Sequence, residues 1–171
     1  PLLAARDRDC FGIDDLAGDV HAFSDPDSNS GFLVTRAELA ERHIAPERYF
    51  KKTFFTYGHR NVVRAVAAGL ADSGSVDGYV WDVMTETEPE LTKKTRVISR
   101  SELLGFPPVA TSREKAETPA IRALRSALMD MSSQPDGRDV LSLLRLDGFV
   151  AADPSLFDGI EAKMKLVRTS G

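Results

Sequence analysis

From residue 19 onward, short apolar or β-branched runs alternate with stretches of helical period. That alternation restricts the chain to an α/β fold with parallel or mixed strands. "DVHAF" (19–23) predicts a strand, and Leu33, Ala37, Ala40 and Ile44 follow at helical spacing with Glu38, Glu41 and Arg42 off the stripe. "HIAP" predicts the end of that helix, and "RYFKKTFFTYG" a second strand centred on Thr53 to Thr56, where aromatic and β-branched residues suit a half-buried pleated surface. After His59, the residues Val63, Val66, Ala67 and Leu70 form one helical face, and the following glycines mark its exit. "SVDGYVWDVM" predicts a very short strand turning into a helix at Gly78, and "EPELTKK" a polar, exposed connection. "RVIS" (96–99) and "PPVAT" (107–111) are the last strand candidates, the second with prolines that suit a strand's start or an edge.

The final sixty residues are mostly helical. Thr118 caps a helix with Pro119 at its first position and an apolar stripe of Ile121, Leu124, Leu128 and Met131. "PDGRDVLSLL" and "PSLFDGIEAKMKLV" predict two more, the latter with Phe157, Ile160, Met164 and Val167 on one side. A boundary is expected near residues 88–96, with a β-α-β-α-β-α unit before it and two strands and three helices after it. The later part has too few strands to close a sheet, so it is expected to pair with chain outside this sequence, upstream of "PLLAARDRD".

Composition excludes some classes. The 171 residues carry a formal net charge of -4 with both signs interspersed, so no broad basic face offers itself to nucleic acid. An anion site would have to be built locally, from oriented N–H groups and hydroxyls. Cys10 is the single cysteine, which rules out an internal disulfide and a thiolate zinc cluster. No apolar run approaches the roughly 20 residues that cross a bilayer, and no signal-peptide pattern opens the sequence.

The stretch "SDPDSNSGFLVTRAEL" (24–39) places small hydrogen-bonding groups at the mouth of a helix. A helix N-terminus presents unpaired N–H groups and roughly half a positive charge, which suits an anion without lysine or arginine. Ser28, Asn29 and Ser30 add side-chain donors, and Gly31 allows close approach to the backbone. The plainer reading is that Ser30 or Asp27 caps the helix while Pro26 and Asn29 shape a turn. "TYGHRNVV" repeats the arrangement, with His59 at the next helix start, where it could donate to a ligand oxygen or simply be structural. Asp77 precedes Gly78 at a third mouth; it is either a cap or a group that reads a ligand's protonation or a second, cationic functional group. In open α/β sheets ligands collect beyond the carboxyl ends of strands, where all three mouths would lie.

Catalytic machinery is not visible. His21, His43 and His59 lack metal-ligand spacing, and no zinc-protease helix, Walker loop, nucleophile elbow or dinucleotide-binding glycine motif occurs. Cys10 beside Asp7 and Asp9 is expected to have a raised thiol pKa, the opposite of an activated nucleophile. Tyr57, Tyr79 and Trp81 could stack on a ligand or belong to the core.

The segments "GIDDLAGDVHAFSDPDSNSGFLVTRAEL", "FFTYGHRNVVRAVAAGLADSGSVDGYVWD" and "PDGRDVLSLLRLDGFVAAD" together resemble the phosphonate and phosphite type of periplasmic substrate-binding protein that serves ABC transporters. The resemblance implies an α/β fold of the type II periplasmic-binding-protein kind, represented here by one complete lobe and the C-terminal part of the other. It assigns 1–17 to a crossing segment from the first lobe, 18–95 to the second lobe, and 96–171 to return strands and C-terminal helices of the first. It also implies a phosphorus oxyanion held by Ser28, Asn29, Ser30, His59 and Asp77, a transporter permease as partner, an extracytoplasmic location, and neither cofactor nor enzymatic turnover. Two departures stand out. The opening β-α-β segment of the family's first lobe is missing from this sequence, and Asn29 stands where a second hydroxyl is usual.

Two other functions fit the same residues less directly. A sensory domain on this fold would be marked by a transmembrane helix and a kinase region elsewhere in its protein. An enzyme on a similar scaffold would require a converging base, nucleophile or metal cluster.

Overall fold

A computed structural model describes residues 1–170. One mixed sheet is formed by β1 (Leu2–Ala5), where no strand is predicted, β2 (Val20–Phe23), β3 (Lys52–Phe55), β4 (Ser73–Ser75), which ends where the short strand of "SVDGYVWDVM" is predicted to begin, and β5 (Thr95–Ser99), in the order β3-β2-β4-β1-β5. β2 is parallel to β3 and β4, whereas β1 is antiparallel to β4 and β5. Between the strands lie α1 (Val34–Glu41), α2 (Pro46–Tyr49), α3 (His59–Ala67), α4 (Gly78–Thr87) and α5 (Pro89–Thr92). Three parallel strands therefore end at one edge of the sheet, and each leads into the mouth of a helical element. α6 (Pro119–Asp130), α7 (Pro135–Leu144) and α8 (Asp158–Thr169) complete the chain.

Alternation along the strands sorts side chains to the two faces of the sheet. Leu3 and Ala22 join Val62, Val66, Val76 and Trp81 on one face, while Leu2, Ala4, Phe23, Ile13, Leu16 and Leu39 fill the other. α3 lies close against β4 because Gly74 has no side chain: a Cβ there would stand 2.4 Å from Cγ1 of Val62. α1 ends as "HIAP" predicted. His43 adopts a left-handed conformation (φ 57°), its N–H donates to the Ala40 carbonyl, and the N–H of Ile44 donates back to Leu39.

Several expectations are corrected. "PPVAT" forms no strand; two adjacent prolines remove two ladder donors, and residues 107–111 are exposed and irregular. The buried face of α3 is Val62, Val63, Ala65 and Val66, because the helix ends at Ala67 and leaves Leu70 at 70% exposure. "EPELTKK" contributes α5, with Thr92 buried. The boundary expected at 88–96 falls on α5 and β5, which belong to the same compact unit as β1 to β4. That unit comprises Pro1–Leu103 and Gly159–Gly171, and the second comprises Leu104–Asp158. One sheet thus takes strands from 1–17, 18–95 and 96–171 alike.

In the second unit α6 forms with its apolar stripe, yet none of its residues is buried and Leu124 is half exposed. Thr118 precedes it without a side-chain cap bond; its hydroxyl donates instead to the Lys115 carbonyl.

Candidate functional site

The first mouth is built by a turn and a cap. The N–H of Ser28 donates to the Asp25 carbonyl around Pro26 and Asp27, and Oδ1 of Asp25 accepts from the Asp27 N–H. Ser28 is the cap: its Oγ accepts the Gly31 N–H at 3.0 Å, which corrects the alternative that Ser30 or Asp27 does so. The first turn is wide, spanning Asn29–Leu33, with the Leu33 N–H donating to the Ser28 carbonyl, before α1 continues normally. The side chains of Asn29 and Ser30 hold no hydrogen-bond partner among the described residues.

Ser24, just beyond β2, joins this mouth to the next. Its N–H donates to the Gly31 carbonyl, and its own carbonyl accepts from the Gly58 N–H at the start of α3. Gly31 has to be glycine. A Cβ there would lie 1.8 Å from Ser24 Oγ and 2.9 Å from His59 Cε1, so the His59 ring packs directly on the first mouth.

The same ring reaches the third mouth. The backbone N–H of Asp77 donates to His59 Nδ1 at 3.1 Å. A neutral imidazole whose Nδ1 accepts carries its proton on Nε2, which leaves Nε2–H as a donor. Burial pushes the His59 pKa below its ordinary value, opposed by the nearby Asp77 carboxylate. Asp77 itself caps α4, with Oδ1 accepting from Tyr79 N–H at 2.9 Å and Val80 N–H at 3.3 Å.

Ser28, His59 and Asp77 are thus brought together through Gly31 and the His59 ring, with Asn29 and Ser30 carried on the first of the three mouths. Three neighbouring features are absent from the sequence reading. Ser24 Oγ is buried beneath Gly31 without a hydrogen-bond partner among the described residues. A formal cation lies closer than expected: Nη1 of Arg100 sits 3.2 Å from where a Gly78 Cβ would stand, with the guanidinium paired to Asp82 at 2.7 Å. Arg100 follows β5, which is far from Gly78 in sequence, so no local pattern announces it. Third, His21, Ser73, Ser75 and Thr35 form a buried polar cluster on the α1 face of the sheet. The only sequence hint is a histidine and two serines inside strand-like runs. Of the aromatic candidates, Trp81 is core and Tyr57 is 75% exposed in a left-handed conformation (φ 55°). The Cys10 thiol is raised as expected, although burial is the main cause and Arg8 and Arg96 oppose it.

A family model described as "ABC transporter, phosphonate, periplasmic substrate-binding protein" matches residues 2–157. The chain belongs to this family. Solved structures resembling this phosphonate-family chain share its mixed α/β fold of the type II periplasmic-binding-protein kind. A binding-protein component of an ABC phosphonate transporter from Pseudomonas aeruginosa superposes with a TM-score of 0.83 at 22% identity, covering 99% of this chain and 57% of its own. PhnD1 from Prochlorococcus marinus, solved with methylphosphonate, gives a TM-score of 0.76 at 18% identity over 98% of this chain and 65% of its own. A Xanthomonas citri protein bound to chloride ion gives 0.69 at 21% identity over 99% and 64%. The chain therefore spans less than two thirds of the length of these structures. No curated protein matches the sequence. Among the described residues no helix is long and apolar enough to cross a membrane, and no group of three or more His, Cys, Asp or Glu is placed to hold a metal ion.

Proposed function

We propose that this chain contributes the oxyanion seat of a phosphonate-binding protein that delivers its ligand to an ABC transporter permease outside the cytoplasm. The observation that carries the reading is the convergence of three helix mouths on one imidazole: His59 packs on Gly31 and accepts the Asp77 N–H. A tetrahedral oxyanion at this edge would meet Ser30 and Asn29, the unpaired N–H groups of the first turn, and Nε2–H of His59. Ser28 contributes mainly by holding the Gly31 N–H and so fixing the turn. Asp77 disfavours a fully ionised oxygen beside it and favours a protonated ligand oxygen or an ammonium on the ligand's organic arm, which makes it a residue of selectivity.

Family membership and the methylphosphonate bound to PhnD1 support a phosphonate over other oxyanions. In this reading residues 18–95 supply most of the second lobe, β1 and β5 its crossing strands, and the segments after β5 the C-terminal part of the first lobe. Binding without turnover fits a site whose polar groups are donors and caps. Calorimetry of the protein against methylphosphonate, aminoethylphosphonate, phosphite and phosphate tests the proposal. It expects the two phosphonates to bind more tightly than phosphate; equal or weaker phosphonate binding would reject them as the ligand class.

A further inference from the structure

We infer that the buried hydrogen-bond chain from His21 through Ser75 to Thr35 positions the oxyanion seat by fixing the first turn of α1 over β4. The inference rests on the reading of the seat given above. His21 is fully buried. Its Nδ1 lies 2.8 Å from Ser73 Oγ and its Nε2 2.8 Å from Ser75 Oγ, and Ser75 Oγ lies 2.7 Å from Thr35 Oγ1. The ring stacks on Phe50 (centroids 4.4 Å, 20° between planes) and meets Phe23 edge-on at 4.7 Å. It is therefore held on two sides by aromatic rings and on its rim by hydroxyls.

Three members of this chain of hydrogen bonds stand close in sequence to groups of the seat. His21 is three residues before Ser24, whose backbone ties the first two mouths. Ser75 is two residues before Asp77. Thr35 is four residues after Gly31, one turn along the helical path that carries the cap of Ser28. A neutral ring has one N–H and one acceptor nitrogen, so the three contacts can be satisfied with the protons running in either direction. In both directions Ser75 is donor to one neighbour and acceptor from the other. Apolar side chains could fill the same volume with no loss of stability. They would not resist a slide or roll of α1, however, because apolar packing lacks the directional restraint of a hydrogen bond. The cluster thus supplies placement, and what it places is the mouth formed by Ser28 to Gly31.

The test compares Thr35→Val, which keeps the shape and removes the hydroxyl, with Thr35→Ser, which keeps the hydroxyl. Ser75→Ala serves as a second way to break the chain should Thr35→Val fold poorly. Amide hydrogen exchange is read at Gly31 and at Leu3 in β1, and methylphosphonate affinity by calorimetry. Positioning predicts that Thr35→Val speeds exchange at Gly31 by about tenfold, the worth of one hydrogen bond, while Leu3 is unchanged. It predicts a similar loss of affinity and recovery of both in Thr35→Ser. A merely structural role would speed Leu3 and Gly31 together, and that result, or an unchanged Gly31, overturns the inference. Unchanged affinity alongside faster Gly31 exchange also overturns it. If the unsubstituted protein binds no methylphosphonate, the reading of the seat fails by itself, and the exchange data still decide whether the cluster positions the mouth.

Discussion

The backbone N–H of Asp77 donates to Nδ1 of His59 at 3.1 Å while the Asp77 side chain caps the helix that follows. One residue thereby sets the tautomer of the histidine and the start of α4.

These two duties of Asp77 separate on substitution. Asn can cap as Asp does, so Asp77→Asn is expected to keep the unfolding midpoint, whereas Asp77→Ala loses about 1 kcal/mol. Removing the charge should reorder ligands. Asp77→Asn is expected to narrow the preference for aminoethylphosphonate over methylphosphonate, as checked by calorimetry, and an unchanged ratio would mean that the carboxylate only caps.

Gly31→Ala forces a methyl group into Ser24 Oγ and His59 Cε1. The expected cost is about 1–3 kcal/mol of stability, with methylphosphonate binding lost because the His59 ring must move. Ser24→Ala alone removes a buried hydroxyl that has no partner, so it should leave stability unchanged or slightly raised. Urea denaturation of the two variants measures both effects.

Acid should destabilise the fold through its buried histidines. Burial lowers the His21 pKa from 6.5 to about 3 and lowers that of His59 as well. A group whose folded pKa lies below its unfolded value binds more protons when unfolded, so its stabilising effect is complete above 6.5 and declines as pH falls toward the folded pKa. His21 alone then gives a slope of up to about 1.4 kcal/mol per pH unit between 6.5 and 3. Urea midpoints at pH 7.5 and 5 test this, together with a His21 ring proton resonance that stays untitrated down to pH 5. A resonance titrating near 6.5 would contradict the buried, neutral ring.

Arg8 grips Asp19 with both Nη nitrogens of its guanidinium at the start of β2, the opposite end of the strand from Ser24. Asp19 is nearly inaccessible at 6% exposure. Asp19→Asn should cost about 2 kcal/mol, as expected for hydrogen bonds to a charged group, and leave methylphosphonate affinity unchanged. A matching loss of affinity would show that the seat depends on the whole sheet and not on its carboxyl edge.

Much of this architecture is legible in the sequence because short strands and amphipathic helices write their periods locally. "DVHAF" and "RVIS" coincide with β2 and β5, and β3 lies within "RYFKKTFFTYG", beginning one residue before the predicted centre of Thr53 to Thr56. The helix mouths were legible too, since caps and glycines sit within a few residues of the turns they build. Which hydroxyl caps α1 was not: three serines and two aspartates compete there, and the choice of Ser28 depends on the wide turn at Asn29–Leu33. "PPVAT" has a strand's apolar character, but its two adjacent prolines remove more ladder donors than a strand's start or an edge tolerates. The polar cluster around His21 was hidden for a different reason. Ser73 and Ser75 are 52 and 54 residues away, and only the parallel pairing of β2 with β4 brings them to the ring. Arg100 is hidden in the same way, by a strand order that folds β5 back beside β1.

The central claim is that dipoles and hydroxyls at three neighbouring strand tips hold one phosphorus oxyanion, with the Nε2–H of His59 among the donors. The most direct measurement is calorimetric titration of methylphosphonate into the protein and into its Ser30→Ala and His59→Ala variants, with folding of each checked by urea denaturation. The account predicts binding by the unsubstituted protein and affinity reduced about 10- to 100-fold in each variant, as expected for loss of one hydrogen bond to a charged group, at closely similar unfolding midpoints. Folded variants that bind as tightly as the unsubstituted protein would contradict it.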